Sequence, residues 1–264
     1  MQCLQIDLSV SLDFAWSELE KLGATIAYSE EDFEKKQLHI FEFDEKALLS
    51  LKWIKEVTIY IPAEINWNDQ WQLHGANFKG GVPHIDLSPF SSPSILKLQP
   101  GPGFGDLSHP TTYLTLKLMA RYLAKQPVID VGCGSGIIAL TALLLGASFA
   151  YGIDIDPNAI THARSNAALN QLEANSLFCL PTCFKMDPST REALICINII
   201  SSDQEIAWQT LSILHTTFAK VITSGIMVEE RAFYLKQARN RGWQLIEEEE
   251  KEGWLAFCFQ QLAS

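Results

Sequence analysis

Three glycines stand at alternate positions in Asp130-Val-Gly132-Cys-Gly134-Ser-Gly136, directly behind the apolar run Pro127-Val-Ile. Lacking Cβ atoms, such a loop turns tightly and lets a ligand approach its backbone, while the N–H groups opening the next helix stay free to bind it. A carboxylate, Asp154, closes the following apolar run, where it can accept two hydrogen bonds from a ribose diol. The GxGxxG dinucleotide fingerprint does not fit, because position 137 is Ile, which argues against a nicotinamide dehydrogenase. An ordinary strand-to-helix turn with a surface aspartate is the bland alternative. Asn198 near the end of EALICINII offers a carboxamide that could accept a hydrogen bond from an amine, or could simply cap the next helix. A second glycine-rich loop, GPGFGDLSHPTT at 101–112, carries Asp106 and His109. Either could move a proton; a histidine before Pro110 could equally orient the loop by bonding its backbone.

The elements that must hold these residues follow from periodicity. From about residue 100, strands and helices alternate: PVIDV, GIIALTALLLG, ASFAYGIDI, PNAITHARSNAALN, SLFCL and EALICINII, then helices around SSDQEIAWQTLSILHTTF and VEERAFYLKQARNRG flanking KVITSG. This alternation predicts a parallel sheet covered by helices on both faces, with ligands beyond the carboxyl ends of its strands. WQLIEEEE and WLAFCFQ, separated only by KEG, predict a hairpin, so one edge must be antiparallel. The segment before residue 64 reads strand, helix, strand, strand, helix, strand, the order of a ferredoxin-like α+β module, with helices expected over DFAWSELEKLG and EKALLSLKWIKE. Gly, Pro and Ser punctuate residues 64–99, read as a connector with one short helix and two short strands. The expected domains are 1–63, 64–99 and 100–264.

Bulk properties narrow the function classes. A chain of 264 residues, 47% hydrophobic, can bury a large domain and a small one. No apolar run approaches membrane-spanning length and the N-terminus lacks a basic stretch followed by an apolar one, so a soluble chain without a signal peptide is expected. Six cysteines without a CxxC pair fit the reducing cytoplasm, and the Cys179/Cys183 spacing is read as coincidence rather than a zinc half-site. A net charge of −11 argues against direct nucleic-acid binding and admits a basic protein partner.

PGPGFGDLSHPTT, VIDVGCGSGIIAL, GIDIDPNAI, INII, the SGI turn and the closing EGW together resemble the bacterial ribosomal protein L-eleven methyltransferase family. The likeness is strong over 100–260 and looser before it. It implies an α/β fold: a seven-stranded, Rossmann-like class I methyltransferase sheet, preceded by a ferredoxin-like domain that recognises the ribosomal protein. It implies S-adenosyl-L-methionine as cofactor, bound by Thr112, Gly132, Asp154 and Asn198; Gly134 of the same glycine loop is read as a further contact, and Phe104 could stack on the adenine or line the methionine arm. Asn198 would also aim the acceptor amine, with His109 the other candidate for catalysis. The implied partner is a basic protein, ribosomal protein L-eleven, met by a monomer at lysine or α-amino groups.

The chain departs from the family at two places. The family's loop reads FGTGxH where this chain has Phe104-Gly-Asp106-Leu107-Ser108-His109, and Ser201-Ser-Asp203 follows Ile200 where a small residue, glycine and proline are commoner. These departures leave open a methyltransferase for a different protein amine, and a cofactor-binding module without turnover. Nucleic-acid methylation lacks its Pro-Pro-aromatic element after Asn198.

Overall fold

Along β1 (Gln2–Ile6), Gln2, Leu4 and Ile6 are buried and the residues between them are not. This period of two makes β1 the natural centre of a half-buried sheet. It lies between β3 (Lys36–Ile40) and β4 (Ile54–Ile59), with β2 (Ile26–Glu31) outside β3, and every neighbouring pair is antiparallel. Helices α1 (Leu12–Lys21) and α2 (Glu45–Leu49) complete the β-α-β-β-α-β order, and Ala15, Leu19 and Leu48 join Leu4, Leu38 and Ile40 in the core. The second helix is shorter than its periodicity predicts. Asp44 caps its start, accepting from Lys46 N–H at 3.0 Å, but Ile54 pairs with Ile6, so the chain must leave the helix in time to enter β4. Tertiary pairing overrides local propensity there.

The computed structural model describes residues 2–24, 26–31, 35–41, 43–59, 78–103, 105, 107, 109–187 and 192–261. Contacts divide the chain into two units, Met1–Ile65 and Asn66–Ser264. Residues 60–77, which include the first part of the connector expected over 64–99, lie outside the described residues, as do Phe104, Asp106 and Ser108.

The second unit begins with a small antiparallel sheet of β5 (Phe78–Lys79), β6 (Val82–Asp86) and β7 (Ile95–Lys97). Helix α3 (Pro110–Tyr122) follows, then β8 (Val128–Val131), α4 (Ile137–Leu144), β9 (Ala150–Ile153), α5 (Pro157–Leu169) and β10 (Ser176–Cys179). After β11 (Glu192–Asn198) come α6 (Ser201–Thr210), β12 (Phe218–Met227), α7 (Arg231–Asn240), β13 (Trp243–Lys251) and β14 (Trp254–Gln261). The large sheet is ordered β10-β9-β8-β11-β12-β14-β13, parallel except where β14 pairs with β12 and β13.

Alternate residues of its central strands serve opposite faces. Val128, Leu194 and Cys196 belong to one core with Leu114, Leu118 and Leu140, while Ile129, Ile195 and Ile197 belong to the other with Trp208, Tyr234 and Trp243. The sheet is thus buried on both sides, as parallel strands require. At the β13 edge three carboxylates of the acidic run are paired: Lys117 and Arg121 of α3 bind Glu249, Arg121 also binds Glu247, and Arg231 binds Glu248. No helix among the described residues is long and apolar enough to cross a membrane.

Candidate active site

β8 is the switch point of the sheet: the chain moves outward through β9 and β10, then returns to place β11 on the other side. The crevice above that point is where such sheets bind ligands. The glycine loop after β8 forms its floor. Gly132, Gly134 and Gly136 have φ of 75°, 52° and 83°, the left-handed region that glycine enters without strain. The loop holds itself through backbone: the N–H groups of Gly132 and Cys133 donate to the Ile153 carbonyl at 2.8 and 3.0 Å, and Gly136 N–H donates to Cys133 at 2.7 Å.

Asp154 meets this floor directly. Its Oδ2 accepts from Gly134 N–H at 2.9 Å and its Oδ1 from Asp156 N–H at 3.0 Å. Both oxygens keep a further lone pair, so the fixed carboxylate can still accept from a diol. Ile155, beside it, is 84% exposed, an apolar surface that a flat ring could cover.

Two of the five buried side-chain oxygens that lack a hydrogen-bond partner among the described residues belong to the motif residues Asp130 and Asn198. Asp130 is fully buried; Oδ2 accepts from Ala139 N–H at 3.2 Å while Oδ1 has none, and burial pushes its carboxyl up to about 7. Asn198 is 7% exposed; its Nδ2 donates to Thr112 Oγ1 at 3.4 Å while Oδ1 has no partner. Two residues 86 positions apart, both read from sequence as site residues, are therefore neighbours. The turn after Asn198 is fixed from below: Gln204 Nε2 donates to the carbonyls of Ile199 and Ser224, each at 2.8 Å, and Gln204 Oε1 accepts from Tyr234 Oη at 2.5 Å.

The first glycine-rich loop lies over the floor as a strap. A Cβ on Gly103 would stand 2.5 Å from the Gly134 carbonyl carbon and the Ser135 nitrogen, so only glycine permits this backbone-to-backbone approach. Ser135 Oγ donates to the Gly105 carbonyl at 2.6 Å. His109 ends the strap as the cap of α3: its Nδ1 accepts from Thr111 N–H at 3.3 Å and lies 2.8 Å from Thr111 Oγ1, and its ring packs edge-on to Trp254 with centroids 5.0 Å apart. Leu107 has φ of 72°. It thus keeps the left-handed backbone suited to a glycine, with its side chain packed on the core, where the family pattern has glycine.

Sequence reading left the strap's anchors unassigned. Asn170 receives Lys97 N–H at 2.9 Å and donates to the Lys97 carbonyl at 2.6 Å. Asn166 receives Gln99 N–H at 2.7 Å and donates to the Ser135 carbonyl at 2.8 Å, joining strap and floor. With His162 they occupy one line along α5, polar residues inside a stripe otherwise buried as Ile160, Ala163 and Ala167.

Comparisons with known proteins give the family. A family model described as "Ribosomal protein L11 methyltransferase (PrmA)" matches residues 13–261. A ribosomal protein L11 methyltransferase of Cupriavidus pinatubonensis is 37% identical over 178 residues, covering 66% of this chain and 57% of that protein. One from Pseudomonas paraeruginosa is 34% identical over 216 residues, covering 79% of this chain and 72% of its own length. The crystal structure of a ribosomal protein L11 methylase from Lactobacillus delbrueckii subsp. bulgaricus, 26% identical, superposes with a TM-score of 0.54 over 64% of this chain and 86% of that one. The chain belongs to the ribosomal protein L11 methyltransferase family.

Proposed function

We propose that the chain is an S-adenosyl-L-methionine-dependent methyltransferase that modifies lysine or α-amino groups of ribosomal protein L11 in the cytoplasm. The observation that carries the reading is the orphaned Asn198 Oδ1, buried beside Thr112 at the end of β11. A buried carboxamide oxygen without a partner is costly unless a ligand supplies the donor.

The residues fit the cofactor. Gly132 and Gly134 leave a backbone cradle, Asp154 keeps lone pairs for a ribose, and Ile155 offers apolar cover for a base. Thr112, with the strap above it, would border the methionine end, where Phe104 is also proposed to pack. When bound, the cofactor supplies a methyl group activated for transfer to a nucleophile.

The chain's own residues would do the rest by positioning. Asn198 Oδ1 accepts a hydrogen bond from the acceptor nitrogen and so orients its lone pair, and holding two reactants in line lowers the barrier through prepaid entropy. A lysine ammonium has no lone pair and an ordinary pKa near 10.4, so a dry crevice that disfavours the charged form assists attack. His109 serves by capping α3 and fixing the strap, its Nδ1 being committed to Thr111. The N-terminal unit is proposed to recognise the protein substrate.

A different protein amine is the second reading, favoured by Leu107 occupying the position of a family glycine. Incubating the full chain with methyl-labelled cofactor and ribosomal subunits from a methylation-deficient strain separates the two. Label on L11 is expected; label confined to another protein would give the second reading, and no transfer would leave neither.

A further inference from the structure

His162 sits on α5 in register with Asn166 and Asn170, four and eight residues before them. Each of the two asparagines presents one donor and one acceptor to backbone, as a neighbouring strand would. A neutral imidazole can do the same. His162 Nε2 lies 2.6 Å from the Gln99 carbonyl, and Gly103 N–H donates to Nδ1 at 3.1 Å. A carbonyl only accepts and a backbone N–H only donates, so these two partners require the tautomer with hydrogen on Nε2 and a lone pair on Nδ1. Gly101 accommodates the ring: a Cβ there would stand 2.6 Å from ring atoms. One side chain therefore grips the strap on both sides of Pro100–Pro102, and its second grip falls on Gly103, the residue that touches the floor at Gly134 and Ser135.

We propose that His162 is the positioning residue of the strap, setting cofactor affinity by holding Gln99 and Gly103 so that the strap closes on the glycine floor. The inference rests on the reading of this crevice as the S-adenosyl-L-methionine site. His162 does not touch the reacting atoms; it acts through Gly103. Asn166 and Asn170 fix the strap's entry at Gln99 and Lys97, whereas His162 reaches on to Gly103.

The test is isothermal titration of the full chain with S-adenosyl-L-methionine, wild type against H162L and H162Q, with amide exchange measured at Gly103. Leucine removes both hydrogen bonds while keeping bulk; glutamine keeps one donor and one acceptor. H162L is expected to weaken binding at least tenfold and to speed exchange at Gly103, and H162Q to remain within about threefold of wild type. A loss of packing alone would not be rescued by glutamine. Gly101→Ala, which leaves the imidazole intact but displaces it, is expected to reproduce the H162L loss and carries the test if H162L does not fold. Wild-type affinity in H162L or in Gly101→Ala, or equal losses in H162L and H162Q, would overturn the inference. Failure of wild type to bind the cofactor at all would overturn the site reading with it.

Discussion

The two glycine-rich loops meet across the same crevice but are built by different means. The floor after β8 is shaped mainly by its own backbone, through left-handed glycines and backbone bonds to Ile153 and Cys133, with Asp154 accepting from Gly134 N–H and Asn166 donating to the Ser135 carbonyl. The strap from Lys97 to His109 borrows its shape from side chains elsewhere, namely Asn170, Asn166 and His162 on α5 and Ser135 on the floor. A loop held by its own backbone is as rigid as the sheet beneath it. A loop held by borrowed side chains can be released without unfolding that sheet, which suits a cover that must admit and discharge a ligand.

This contrast can be broken or sharpened. The largest effect is expected where both loops overlook the end of β11. Asn198→Ala should slow methyl transfer by about a hundredfold or more while cofactor affinity changes by less than tenfold, since orientation rather than docking is lost. A large loss of cofactor affinity with unchanged turnover would place Asn198 with the floor instead. Next comes Asn166→Leu, which strips partners from the Gln99 N–H and the Ser135 carbonyl at once. Leaving two such groups unpaired costs about 2–5 kcal/mol, measurable by denaturant unfolding. A change below about 1 kcal/mol would mean that the strap is not coupled to the floor through this side chain. The smallest effect is expected at Leu107→Gly. Relief of left-handed strain, about 1 kcal/mol, should nearly offset the lost packing, leaving stability within about 1 kcal/mol of wild type. A larger loss would show that the strap is pinned by this side chain rather than by α5.

The same contrast explains what could be read in advance. The floor is a local pattern, glycines at fixed spacing behind a strand, so Gly132, Gly134 and their partner Asp154 were visible in the sequence. The alternating strands and the closing hairpin were equally local, and the sheet carries them with β14 inserted between β12 and β13. The strap's anchors are distant: His162 lies 59 residues from Gly103 and Asn166 lies 67 from Gln99, and nothing local in the sequence ties them to the strap. Their signal was that they fall within a stripe that should be apolar. The shortened α2 was illegible for a related reason, because the pairing of Ile54 with Ile6 depends on the assembled sheet. Asp130 was quoted with the motif but given no role; its burial and orphaned Oδ1 are properties of the packed crevice.

The central claim is that the floor and Asp154 hold the nucleoside end of S-adenosyl-L-methionine. Isothermal titration of wild type and Asp154→Ala tests it most directly. Wild type should bind, and the variant, deprived of charge-assisted acceptors for the ribose, should bind about a hundredfold more weakly or worse. No binding by wild type, or equal affinity in the two proteins, would contradict the account.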